Sequence, residues 1–161
     1  MPISPDELKE VMSLVAATVT VVTADSDDGP VGLTVSSFMS VSADPAIVLV
    51  CVAKTTTSQQ SMVGAEGFTV NVMPQGTEDE AMLFAKRGAD RFGSSRWSDP
   101  GTPAAGPVLE SAMAHLECVT IDRTEVGDHW VIYGEVLVTK IANRDLVPLV
   151  WRGRGFVKIQ E

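Results

Sequence analysis

The chain has 161 residues, with 21 acidic side chains against 12 basic ones and a formal net charge of −9. That balance argues against nucleic acid or an anionic membrane as partner, because both are bound by concentrated Lys and Arg. Hydrophobic residues at 45 % and charged residues at 20 % are the proportions of one globular domain with a sizeable core.

Ser4-Pro5-Asp6-Glu7 is a helix start: Ser4 caps, Pro5 fits the first turn, and Glu7 completes a capping box. Leu8, Val11, Met12 and Val15 then recur at helical spacing and form one apolar stripe. From Thr18 to Thr23 the chain is β-branched, and Asp27-Asp28-Gly29-Pro30 supplies the turn that ends this first strand. Gly32 to Ser42 is a second extended segment. Ala46 to Ala53, apolar on both faces, reads as a central strand. Thr57 to Gly64 fits a short helix, and Phe68 to Met73 alternates as a strand.

Thr77-Glu78-Asp79-Glu80 is a second capping box, opening a helix with Met82, Leu83 and Phe84 that stops at Gly88. Arg91 to Pro107, rich in Gly, Pro and Ser, is expected as a long loop. Met113 to Thr124 and His129 to Ala142 read as long strands joined by a hairpin turn over Glu125-Val126-Gly127-Asp128. Gly155 to Gln160 is the last strand. Strands at hairpin spacing with few helices predict a mainly β, antiparallel barrel of one domain over residues 1–161.

Several chemistries have no support. Neither GxGxxG nor GxxxxGK[ST] occurs, and no serine sits in a nucleophile-elbow context. Cys51 and Cys118 lie in apolar runs and are expected as free thiols. With His115 and His129 they have no ligand spacing, so no metal is expected. Met1-Pro2-Ile3-Ser4 runs straight into the acidic helix, and the longest apolar run, 46–53, is too short to span a bilayer. A cytoplasmic protein without a leader is the expectation.

The segment Gly32-Leu33-Thr34-Val35-Ser36-Ser37-Phe38-Met39-Ser40-Val41-Ser42, then Asp44-Pro45 and Ile47 to Val52, opens an ordered set of motifs. It continues through Phe68-Thr69-Val70-Asn71-Val72, Asp90-Arg91-Phe92, Leu116-Glu117-Cys118, Gly127-Asp128-His129, Gly134-Glu135-Val136 and Pro148-Leu149-Val150-Trp151. This set resembles the flavin reductase-like family, the short-chain reductases of two-component flavin-dependent monooxygenases. It departs from the family at Ala46, often a second proline there, and at Phe156, commonly a tyrosine.

The resemblance implies a split antiparallel β-barrel of the FMN-binding type with short peripheral helices. It further implies a homodimer with FMN or FAD near the subunit interface, NADH or NADPH as hydride donor, and a partner monooxygenase that receives reduced flavin. Thr34, Val35, Ser36 and Ser37 would run along the flavin, with Cys51, Val52 and Ala53 at the neighbouring strand end. Thr57 and Ser58 would hold its phosphate, although the residues alone read better as a plain helix cap. Arg91 would stand near phosphate and Phe92 would pack on the ligand; Lys86 and Arg87 add positive charge nearby. Asp128 and His129 would face the nicotinamide, His129 as the catalytic candidate, whereas the residues alone describe a hairpin turn. Two other readings stand beside the reductase: a flavin oxidase resembling pyridoxamine-phosphate oxidase, and a non-catalytic flavin-binding module.

Overall fold

The computed structural model describes residues 1–159. Helix α1 (Pro5–Ser13) begins with the expected capping box: Ser4 Oγ accepts from the Glu7 N–H at 3.2 Å, and the Glu7 carboxylate accepts from the Ser4 N–H at 2.8 Å. Its apolar stripe is uncovered, with Leu8, Val11 and Met12 all exposed. Strands β1 (Ala17–Thr18) and β2 (Thr20–Ser26) follow.

The extended segment expected over 32–42 is two strands, β3 (Gly29–Val35) and β4 (Phe38–Ala43), parted at Ser36–Ser37. The chain leaves β2 at the break and crosses to the far edge of the sheet. There Ser37 O accepts from the Cys51 N–H at 3.1 Å and Ser37 Oγ donates to Cys51 O at 2.9 Å. Strand β5 (Ala46–Ala53) is next to an edge rather than central. Val48, Val50 and Val52 point into the core, and Ile47, Leu49 and Cys51 are half-buried on the other face.

After α2 (Gln59–Gly64) comes β6 (Gly67–Val72), which is buried on both faces. Helix α3 (Glu78–Ala85) lacks the capping box expected at Thr77. Thr77 Oγ1 donates instead to Pro74 O at 2.8 Å, and the Glu80 carboxylate accepts from the Ser111 hydroxyl. The helix ends with Lys86 as its cap, short of Gly88.

The stretch expected as a loop from Arg91 to Pro107 contains α4 (Arg91–Ser94) and β7 (Trp97–Ser98), the latter paired with β8 (Val108–Leu109). Its last residues lie on the polar face of β2 and β6. Thr69 Oγ1 donates to Gly106 O at 2.6 Å, and Asn71 Oδ1 accepts from the Leu109 N–H at 2.9 Å, so the buried polar side chains are satisfied. Strands β9 (Ala114–Val126) and β10 (His129–Ile141) form a long hairpin closed by Gly127–Asp128 alone, tighter than the expected four-residue turn. Strand β11 (Val150–Arg152) has no counterpart among the expected elements. It pairs with β12 (Gly155–Val157), which stops before the expected end; Gln160 lies outside the described residues.

Seven strands pair antiparallel in the order β3-β2-β6-β9-β10-β5-β4 and curl around one core that includes Val22, Leu33, Val50, Phe68 and Ile132. The edge strands β3 and β4 do not pair with each other among the described residues, so the sheet is barrel-like and open at that seam. A second core covers the outer face of β2 and β6, where Val19, Val21, Met73, Phe84, Leu109 and Leu149 pack. The small sheet β1-β11-β12 sits beside it. Cys51 and Cys118 are free thiols. Among the described residues, no helix is long and apolar enough to cross a membrane.

Candidate functional site

The break between β3 and β4 opens a groove against α3. Its polar end is a cavity of about 170 Å³ lined by Thr34, the loop threonines Thr55, Thr56 and Thr57, and the guanidinium side chains of Arg87 and Arg91. A second cavity of about 180 Å³ shares Thr34 and Ala85 with it and is lined by Val19, Met82, Trp151 and Phe156. The rings of Trp151 and Phe156 meet edge to face at 5.1 Å, making this end aromatic.

Arg91 is the best-defined charge in the groove. One guanidinium nitrogen donates to Gly32 O at 2.8 Å and Ser58 Oγ at 3.1 Å, and the other to Lys86 O at 2.9 Å. All three acceptors are neutral, and among the described residues Nε is buried without a partner and no ion pair includes the residue. Burial pulls its pKa below the usual arginine value, yet a guanidinium stays charged at any physiological pH. Gly32 lets the Phe84 ring close against β3, because a Cβ there would lie 2.8 Å from that ring. Arg87 reaches across the mouth, donating to Thr55 O at 2.9 Å, and is in no ion pair among the described residues.

Ser58 is buried, and its hydroxyl is engaged with Arg91 rather than capping α2. It braces the guanidinium from behind, and the exposed Thr57 is the member of the expected pair that lines the cavity. The sequence offers the hydroxyls of the whole run Thr55-Thr56-Thr57-Ser58 and the resemblance assigns the role to Thr57 and Ser58; all three threonines line the cavity. The donor set of hydroxyls and uncompensated guanidinium groups fits a phosphate without help from the six-residue helix α2.

Thr34 lines both cavities, but its hydroxyl donates to Ala81 O and so ties β3 to α3. Ser36 and Ser37 are exposed at the strand break, with Ser36 in the aromatic cavity. Val35 packs in the core and also lines the aromatic cavity, whereas Val52 is fully buried in the core. Cys51 and Ala53 are half-buried on β5; burial raises the Cys51 pKa, keeping it a neutral thiol. Phe92 does not line either cavity. It packs edge to face on Phe84 at 5.3 Å and on Trp97 at 5.9 Å, completing the outer core.

Asp128 and His129 lie at the hairpin tip, paired through His129 with Ala53 of β5. The Asp128 carboxylate bonds His129 Nδ1 at 2.7 Å, which holds its pKa below the usual range. Lys54 clamps the tip to the strand end. Its N–H donates to Asp128 O at 3.0 Å, its ammonium donates to Gly127 O at 2.6 Å, and it pairs with Glu125. His129 therefore stands beside the strand that leads into the threonine loop, without lining either cavity. Trp151 and Phe156 were legible only through the resemblance, since no local pattern brings β11 and β12 to β3.

The curled antiparallel sheet is broken at one edge around a groove that is cationic at one end and aromatic at the other. The flavin reductase like domain matches residues 12–160, and the chain belongs to that family. The stachydrine N-demethylase reductase subunit of Rhizobium meliloti is 38 % identical over 137 residues, covering 84 % of this chain and 59 % of that protein. The reductase component of the flavin-dependent trigonelline monooxygenase of Acinetobacter baylyi is 34 % identical over 131 residues, covering 81 % of this chain and 42 % of that protein. The chain thus spans about half the length of these two relatives. Among solved structures, the NADH:FAD oxidoreductase of Streptomyces globisporus superposes with a TM-score of 0.90 at 31 % identity. The match covers 100 % of this chain and 98 % of that one, and the same protein is known in complex with NAD and FAD fragments.

Proposed function

We propose that this protein is a flavin reductase: it takes hydride from NADH or NADPH, gives it to FMN or FAD, and releases reduced flavin to a flavin-dependent monooxygenase. The observation that carries this reading is the groove, with Arg87 and Arg91, in no ion pair among the described residues, beside three threonines at one end and Trp151 and Phe156 at the other. When bound, flavin supplies a two-electron acceptor, and the protein supplies binding and orientation. Arg91, Arg87 and the threonine loop hold the phosphate. The backbone of Val35, Ser36, Cys51 and Ala53 offers hydrogen-bonding groups to the ring edge.

His129, held by Asp128, hydrogen-bonds the amide or phosphate of the nicotinamide nucleotide as it enters beside β5. No side-chain acid or base is required for the hydride step itself. The protein acts as a homodimer in the cytoplasm. The names of the relatives support the partner, since two are reductase components of monooxygenase or demethylase systems.

The test combines purified protein, FMN or FAD, and NADH or NADPH. Rapid nucleotide oxidation that requires added flavin is the expected result. A tightly flavin-bound protein that oxidises no nucleotide would overturn it in favour of a flavin oxidase or a binding module.

A further inference from the structure

The tip of the β9–β10 hairpin reaches past the strand that supports it. Pairing of β10 with β5 ends at His129 and Ala53, so the turn at Gly127–Asp128 stands beyond the end of β5. On the other side, β9 leaves β6 at Val119, and Arg123 fastens its middle to the carbonyls of Val63 and Ala65 at the end of α2. The turn itself is a two-residue loop with Gly127 at a φ of 56°. Such a turn forms from its own backbone. Where it stands relative to β5 is set from outside it.

Lys54, the first residue after β5, sets it. Its N–H donates to Asp128 O at 3.0 Å, which carries the strand ladder one residue further. Its ammonium donates to Gly127 O at 2.6 Å and pairs with the Glu125 carboxylate. An exposed ion pair alone holds little. Here the side chain is only 33 % exposed, and the same ammonium is anchored on a carbonyl as well. Lys54 lines neither the cationic nor the aromatic cavity. Its donors are turned to the tip.

The same residue opens the threonine loop. Thr55 to Thr57 line the cationic cavity, and the Thr55 carbonyl accepts from Arg87 at 2.9 Å. The loop is thereby held by Arg87 on one side and joined to the hairpin tip through Lys54 on the other. At the tip, the Asp128 carboxylate bonds His129 Nδ1 at 2.7 Å and orients the ring against the residues that Lys54 holds.

We propose that Lys54, paired with Glu125, is a positioning residue for the nicotinamide nucleotide. It holds Asp128 and His129 in place beside the threonine loop and does not touch the nucleotide itself. The inference rests on the flavin-reductase reading, in which His129 meets the nucleotide. A hairpin tip free to swing would present the imidazole over a range of positions, and binding would then have to arrest that motion.

Steady-state kinetics and NMR of the histidine rings test it on the full chain. Lys54→Met keeps the stem and the backbone N–H but loses the ammonium. It should raise the KM for NADH about fivefold, the coupling expected within one bonded network. FMN affinity should stay near wild type, since the loop keeps its bond from Arg87. Glu125→Gln should raise the KM as well, because it frees the ammonium from the tip. If Lys54 met a nucleotide phosphate directly, removing the Glu125 charge would lower the KM, and that result would overturn the proposal. In a His129→Ala background, Lys54→Met should add nothing; an undiminished effect there would mean general loosening of the fold and would also overturn it. The chain has two histidines, and the buried His115 serves as the control. Both variants should move the nitrogen-15 signals of the His129 ring and leave those of His115 in place. Unmoved His129 signals, or a wild-type KM in Lys54→Met, would dismiss the positioning role. Protein that oxidises no NADH yet shows these shifts would keep Lys54 as the residue that positions His129 and overturn the flavin-reductase reading.

Discussion

Arg91 is held by three neutral oxygens with Nε left over, so its charge is positioned but not neutralised. Arg91→Ala should weaken FMN binding by about 10- to 100-fold, the equivalent of roughly 1.5–3 kcal/mol for a charged hydrogen bond. It should also lower the melting temperature, because the Gly32 and Lys86 carbonyls lose their donor. Arg91→Lys separates the two effects: it keeps the charge but cannot span three acceptors. Fluorescence titration with FMN beside a melting curve checks both, and a variant that binds FMN at wild-type strength would remove Arg91 from the site. His129→Ala should raise the KM for NADH or slow reduction in stopped flow while FMN binding stays nearly intact. Unchanged nucleotide kinetics would return Gly127-Asp128-His129 to the status of a turn. The residue types at the site were visible in the sequence, but their division of labour was not. Ser58 braces Arg91 across 33 positions of chain, and Phe92 turns to the outer core, and neither contact leaves a local pattern.

Elements were legible wherever a pattern was satisfied within its own segment. The Ser4 box closes because Glu7 has nothing else to meet, whereas Glu80 finds Ser111 31 residues away and leaves Thr77 without its partner. The segment after Arg91 lacked periodicity because side chains from elsewhere hold it. Glu117 on β9 is 3 % exposed and accepts from the N–H groups of Gly101 at 3.1 Å and Thr102 at 2.6 Å. Burial acts to raise the Glu117 pKa, but these hydrogen bonds and the nearby His115 outweigh it, leaving the carboxyl below its ordinary 4.5. A carboxylate with a depressed pKa stabilises the fold fully above its unfolded value and loses that contribution as the pH falls through the folded one. His115 is also depressed, chiefly by burial, from an ordinary 6.5. The unfolded chain therefore takes up a proton before the folded chain does, and stability falls on acidification there as well. Melting temperature should accordingly drop below about pH 6.5 and more steeply below about pH 4.5. Glu117→Gln should cost about 2 kcal/mol at neutral pH and flatten the lower of the two declines. An unaltered acid profile in that variant would show that the carboxylate is not what fastens the loop.

At the scale of the whole molecule, an antiparallel barrel with peripheral helices was legible from strand count and spacing, because hairpins are local. The seam was not, since it depends on where the two halves of the 32–42 segment go. That seam leaves β4 as an unpaired edge with Met39 and Val41 exposed, beside the exposed Leu137, Val138 and Ile141 on β10. The register puts Ser42, Ile47 and Glu135 in one row, so Val41 and Leu137 flank the same strip of surface. Edge strands and apolar strips of this kind invite pairing with another chain. Burying them stabilises by about 25 cal/mol per Å² of apolar surface. A second copy of the chain is the partner that fits the proposed function. The protein should therefore sediment as a dimer at micromolar concentration. Val41→Asp combined with Leu137→Asp places charge on both sides of the strip and should shift it to monomer. Because Thr34, Ser36 and Ser37 stand where the chain passes from β3 to that edge, the monomeric variant should also bind flavin less tightly than wild type. Light scattering that finds wild-type monomer with full flavin-dependent NADH oxidation would overturn both expectations. A double variant that stays dimeric would move the interface to another face.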